Sequence, residues 1–437
     1  MSQIARVFWI ALVIKLALSA LLPLTSDEAY YWVWSRHMQL SYFDHPPFVA
    51  WLFGLGQWTS WLGGNVRWPG VLLGHAALGV WLKLLKPYLS ERQRLYWLGL
   101  ALLSPLVGGS ALVVTPDLPL LFFYALSLWL FLLWKENPSW RLALGLGLSV
   151  GLGFSSKYMM VLFVLSLLPV CLLSPQLRRS FLRHLPLLFL GGLMGTVPVW
   201  LWNLLNDFAS IKFQTQHGLG RSWKPSWTFH YIGLQVGLIF PVILYWALRA
   251  RRSLPMVFHF LAWTPLVFFF FTTFRGYVEA NWPIAAYPAL FALAVSQYPG
   301  AAKGLRGTLV LWGSLIALLA VVIMIQPEWS KDLKFREFHE YDEVVRHSRD
   351  LSPLYARSYQ MASKMYFELG RPVYKLKGMN RKDFYDYLQG SEPQAKVYYV
   401  AVKKEDKLPS TYAAQGHRVV ESLPVDRDFV IWRVEAP

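Results

Sequence analysis

The sequence predicts an α-helical polytopic membrane protein of about eleven transmembrane helices, followed by a small C-terminal α/β soluble domain. Three observations carry this. Of 437 residues, 55% are hydrophobic and only 15% charged, against roughly 25% charged in ordinary soluble domains. Apolar runs recur along the first 326 residues, and roughly 20 apolar residues carry a helix across a bilayer core. After Gln326 the character changes: residues 327–437 hold 17 of the 25 acidic and 19 of the 42 basic residues, with no run long enough to span. The expected division is a membrane domain over 1–326 and an extracytoplasmic α/β domain over 327–437.

The expected spans are Ala5–Leu24, Gly70–Leu82, Leu95–Val114, Leu118–Trp134, Leu142–Phe154, Met159–Leu173, Leu185–Leu204, Tyr231–Leu248, Leu254–Thr272, Ile284–Val295 and Thr308–Ile325. The opening run to Leu24 has no small-residue cleavage site, so it reads as a retained first span rather than a signal peptide. With the N-terminus inside, the inner loops carry fifteen Lys and Arg, including those of Pro175–His184, and the outer loops seven. That bias predicts N-in insertion. Eleven spans then place the tail outside a bacterial inner (plasma) membrane. In the tail, Pro353–Ser358, Lys396–Val402, His417–Leu423 and Phe429–Val434 read as strands, the last two as a closing pair. Tyr359–Leu369 and Lys382–Leu388 read as helices.

The net charge of +17 does not point to nucleic acid, because the basic residues of the membrane part track the inner loops. The single cysteine, Cys171, excludes an internal disulfide and a multi-cysteine metal site.

The acidic residues of the membrane part are more informative. There are eight, and six of them (Asp27, Glu28, Asp44, Asp117, Asp207 and Glu279) fall on the expected outer side, in four loops. Carboxylates beside a bilayer are costly, and six on one face point to a shared site. Asp27 and Glu28 stand where the first span ends, where partial desolvation strengthens a carboxylate as a general base. The plainer reading makes Asp27 the cap of a helix from Glu28 to Trp34, with Ser26 assisting. The aromatics around Tyr30 and Trp32 read as an interfacial belt or a sugar-stacking wall. Thr115-Pro116-Asp117 puts a carboxylate in a tight turn, which by itself suits a turn cap. Lys157 follows Gly151, Gly153, Ser155 and Ser156 at the outer boundary. A lysine there snorkels, or grips a phosphate as a point charge beside flexible backbone. Arg275, Tyr277, Glu279, Asn281 and Trp282 crowd a nine-residue segment before a short span.

Asp27-Glu28-Ala29-Tyr30-Tyr31 followed by Asp44-His45-Pro46-Pro47 resembles the bacterial branch of the protein mannosyltransferase family, within the GT-C glycosyltransferase fold. Thr115-Pro116-Asp117, the Gly-rich run to Lys157, Trp202-Asn203, Phe213-Gln214 with His217, and Glu279-Ala280-Asn281-Trp282 are similar to segments of that family in the same order. Ser358–Ser363 resembles its outer domain. The resemblance implies an inverting transferase that uses a polyprenyl-phosphate sugar. It implies Asp27 as general base, Asp117 as a second site carboxylate and Lys157 as a contact to the carrier phosphate. His45, His217, Arg275, Tyr277, Glu279, Asn281, Trp282 and Tyr30 are the further substrate-binding candidates. The related aminoarabinose transferases of lipid A carry a lysine before the matching proline, where this chain has His45. The acceptor is left open among lipid A or its core, another envelope glycolipid and a protein.

The chemistry of inversion at a sugar C1 needs a base for the acceptor hydroxyl and cations for the departing phosphate. Lys157, Arg275, Arg221 and Lys224 are the candidate cations. The donor's prenyl tail is expected among the helices and membrane lipids. No cofactor is called for. A divalent metal is conceivable, since His45, His217, Asp117 and Glu279 all fall on the outer side and imidazole plus carboxylate would suit zinc, but no His-x3-His spacing supports it. A secondary transporter is the chief rival, and it would place ionisable groups at mid-membrane rather than at one face.

Overall fold

Prolines and capping residues set where the helices begin and break. The computed structural model describes residues 1–62, 65–219, 222–250, 253–326, 329, 337–388 and 390–437, with 62 and 217–219 as backbone alone. Among these, five helices are long and apolar enough to cross a membrane: Gln3–Leu21, Trp68–Leu85, Asp117–Glu136, Pro175–Leu205 and Ala302–Ile325. Pro225–Ile239 and Pro241–Arg249 make a sixth only as a pair bent by 86°. Five further apolar helices, including Trp140–Phe154 and Met256–Thr272, have 10–17 residues. By length and composition alone, the described residues thus hold five or six full-length spans and five shorter apolar helices.

The departures have local causes. Leu95–Val114, expected as one span, splits into Glu91–Leu103 and Val107–Ser110. Ser104 precedes Pro105 and takes an extended conformation, as a residue before proline prefers. Tyr231–Leu248 breaks at Phe240 for the same reason, with a positive φ of 76° before Pro241. Residues 175–184, expected as an inner loop, are instead the first turns of the 31-residue helix Pro175–Leu205. Ser174 caps it and Pro175 opens it.

Helix Trp140–Phe154 lies against Pro175–Leu205 along glycines. A Cβ on Gly147 or Gly151 would overlap the backbone at Leu188 or Gly192, and one on Gly195 would sit 2.6 Å from the Leu152 nitrogen. These are two small-xxx-small stripes, Gly147/Gly151 facing Gly191/Gly195, the arrangement that lets membrane helices approach closely. Of the two glycines before Lys157 expected to supply flexible backbone, Gly151 thus belongs to a close helix contact, while a Cβ on Gly153 would meet the Met160 side chain. Gly151→Leu is expected to abolish the monodisperse folded peak in size-exclusion chromatography. Gly145→Ala, where a Cβ meets nothing within 4 Å, should leave that peak unchanged.

The chain forms two compact units: Met1–Leu21 with Leu40–Ala320, and Leu22–Gln39 with Val321–Pro437. In the second, five strands β1 (Leu354–Ala356), β2 (Tyr374–Lys375), β3 (Val397–Lys403), β4 (Arg418–Pro424) and β5 (Phe429–Glu435) form one sheet, in the order β2-β1-β3-β5-β4. β1 runs parallel to β2 and β3, while β5 is antiparallel to β3 and β4. Tyr398, Val400, Val402, Trp432 and Val434 form its core. Ser358 caps helix Tyr359–Leu369, and Gly370 ends it in the left-handed conformation. The helix expected over Lys382–Leu388 is only a 3-10 turn, Phe384–Tyr387, capped by Asp383. Asp383 and Asp386 both bind buried Lys375, at 2.7 and 2.5 Å. That pull on the segment favours a tight turn over a regular helix.

Candidate active site

In the first unit, three expected site residues meet although 40 and 164 positions separate them. Asp117 opens helix Asp117–Glu136 and is 3% exposed. Its Oδ1 accepts from Lys157 Nζ at 2.6 Å and its Oδ2 from Asn281 Nδ2 at 2.7 Å. Both carboxylate oxygens are therefore used, so the turn-cap reading of Asp117 gives way to an ion pair. Lys157 ends the Gly-rich segment, where its N–H donates to the Gly153 carbonyl at 3.0 Å. One bond to Asp117 leaves two of its three ammonium hydrogens for another acceptor.

Neighbouring segments are fastened around this node. Phe48, three residues after His45, donates its N–H to the Ser155 carbonyl at 3.1 Å. Ser155 Oγ donates to the Gly195 carbonyl at 2.6 Å. Buried Asp44 receives Gln214 Nε2 on its backbone oxygen at 2.5 Å. Gln235 donates to the Ala280 carbonyl at 3.0 Å and accepts from Tyr287 Oη at 2.9 Å, holding the loop that presents Asn281. Gln235 was not among the candidates, yet a glutamine inside the apolar run Tyr231–Leu248 was a signal of its own.

The first unit also holds an apolar cavity of about 530 Å³. Phe154 and Met160, which flank Lys157 in the chain, line it with Leu167, Phe189 and Trp200. The same segment thus supplies a cation to the ion pair and apolar walls to the cavity.

The remaining candidates of the first unit have other surroundings. Trp282 packs on Phe269, ring centroids 5.6 Å apart. Tyr277 faces His230 at 5.5 Å, and burial, with Glu279 adding, pushes its phenol up. Arg275 is exposed and His45 half-buried. Lys224 is exposed beside Trp227. The side chain of His217, and Arg221, lie outside the described residues. Among the described residues no group of three or more His, Cys, Asp or Glu is placed to hold a metal ion.

Asp27, Glu28 and Tyr30 belong to the second unit. Their helix is Ser26–Arg36, and its cap is Thr25, not Asp27. Glu28 is fully buried and completes a capping box, its Oε2 accepting from the Thr25 N–H at 3.1 Å and the Thr25 hydroxyl at 3.2 Å. Asp27, relieved of capping, is only half-buried. It stands close enough to act on buried Tyr341, whose phenol is pushed up by burial first, then by the Glu340 and Asp27 carboxylates. Tyr30, expected to touch substrate, is 2% exposed and packs among Trp34, Tyr359 and Tyr385. Its position is that of a core residue.

Residues 44–202 match the family of dolichyl-phosphate-mannose-protein mannosyltransferases. The chain is 30% identical over 318 residues to the lipid A galacturonosyltransferase RgtD of Rhizobium johnstonii, an alignment covering 68% of this chain and 66% of that protein. The chain thus spans a little under two thirds of that curated relative. ArnT from Cupriavidus metallidurans bound to undecaprenyl phosphate superposes with a TM-score of 0.69 at 17% identity, covering 98% of this chain and 97% of that one. The apo state of ArnT gives a TM-score of 0.68. The fold of this chain is the one those structures have.

Proposed function

We propose that this chain, which belongs to the protein-mannosyltransferase-like GT-C glycosyltransferases, moves a sugar from a polyprenyl-phosphate carrier to an envelope acceptor at the outer membrane face. The observation that carries this reading is the buried Lys157–Asp117–Asn281 node, whose lysine stands in the chain between Phe154 and Met160, two residues that line the apolar cavity. A charged head and a long apolar tail are what a polyprenyl phosphate presents. Two similar proteins agree with it: RgtD is a lipid A galacturonosyltransferase, and ArnT was solved with undecaprenyl phosphate. Lipid A or a related glycolipid is accordingly the acceptor we favour.

In the reaction the acceptor oxygen attacks C1 of the sugar as the C1–phosphate oxygen bond breaks, inverting that carbon. Asp27 takes the acceptor's proton, and the carrier leaves as the free phosphate. Lys157 offers its two remaining hydrogens to the phosphate, and Asp117 holds the ammonium in place. Charge stabilisation of this kind gains strength where lipid excludes water.

Native mass spectrometry of the detergent-purified chain tests the donor class. A co-purified polyprenyl phosphate or its sugar adduct is expected, and its occupancy should fall on Val164→Trp, which fills the cavity. Saturable binding of a small solute, with no lipid phosphate retained, would replace this reading with the transporter.

A further inference from the structure

Lys364 is 1% exposed on helix Tyr359–Leu369. A buried ammonium is costly unless its hydrogens find acceptors. Lys364 Nζ donates to the Leu24 carbonyl at 2.7 Å and pairs with Glu368 Oε1 at 2.9 Å. Leu24 directly precedes Thr25, the cap of the helix whose first turn carries Asp27. A second tie lies three residues beyond Asp27: Tyr30 Oη accepts the Phe384 N–H at 2.8 Å, and the Tyr30 ring lies 4.3 Å from that of Tyr359. One bond therefore grips the chain three residues before Asp27 and another three residues after it. An apolar side chain of similar volume would fill the same space without the desolvation cost. What the ammonium adds is a directed bond to one particular carbonyl.

We infer that Lys364, seconded by Tyr30, is a positioning residue for Asp27: through the Leu24 carbonyl it sets where the carboxylate stands relative to the acceptor hydroxyl. The inference rests on the assignment of Asp27 as general base. A displacement of about 1 Å is enough to cost up to roughly 10²-fold in rate.

The test uses the full-length chain in detergent, with undecaprenyl phosphate as the binding probe. Transfer is followed from the co-purified donor to an envelope lipid fraction. Lys364→Met is expected to lower kcat roughly 10- to 100-fold, with donor KM and undecaprenyl phosphate binding unchanged, and Lys364→Arg to recover part of the loss. In an Asp27→Asn background Lys364→Met should cost nothing further, because it acts through a group already removed. Should Lys364→Met accumulate too poorly to assay, Tyr30→Phe, which deletes only the accepting oxygen, is expected to show the same non-additivity. Unchanged kcat in Lys364→Met, or equal losses with and without Asp27, would overturn the inference while leaving the general base in place. Full transfer by Asp27→Asn alone would remove the base assignment and the inference with it.

Discussion

Asp27→Asn is expected to lose roughly 10²–10⁴-fold in transfer rate, the usual worth of a general base, while still binding the polyprenyl phosphate. The neighbouring Glu28→Gln should behave differently. Glu28 is fully buried and spends its Oε2 on the Thr25 N–H and hydroxyl. Its loss weakens a capping box, a cost of about 0.5–2 kcal/mol in stability, and should leave the chemical step nearly intact. Asp27 is half-buried and is not the cap of the helix. Transfer assays and thermal unfolding on both variants separate the roles. The reverse pattern, full rate for Asp27→Asn and collapse for Glu28→Gln, would exchange them.

The second large effect is expected at the ion pair. Removing one member of a buried pair strands the other charge, at about 3–5 kcal/mol. The Asp117 and Lys157 side chains are 4% and 7% exposed, with 2.6 Å between their charged atoms. Asp117→Leu and Lys157→Met should therefore each lower the thermal midpoint sharply. Asp117→Leu should do so more, because Asn281 also loses its acceptor. The double variant removes both charges and is expected to regain much of the stability, since an apolar pair of similar volume often serves as well. It should not regain transfer, because the cation proposed for the phosphate is gone. A double variant that transfers at the parental rate would show the pair to be purely structural.

Several features follow from short stretches alone. The tail strands come from alternating apolar residues such as those of Val397–Lys403, and helix Tyr359–Leu369 from the cap Ser358 and the terminal Gly370. The break at Ser104–Pro105 and the bend before Pro241 were also written locally, but an apolar window of about 20 residues averages over them. Glu28 looked like a second base because burial is not visible in a run of letters. Thr25, three residues earlier, was the available sign of a capping box.

The sequence by itself determined the class of the protein, because a chain with so few charges and such long apolar runs has no stable soluble form. It also singled out Asp117, Lys157 and Asn281 as polar residues in places where polarity is costly. Only the tertiary structure decided that these three bind one another, that Gly147 and Gly151 serve a helix contact, and that residues 22–39 belong with the C-terminal unit. The reason is physical. Local periodicity sets which face of a helix is apolar, whereas partners 40, 164 or 340 residues apart are chosen by how whole helices pack.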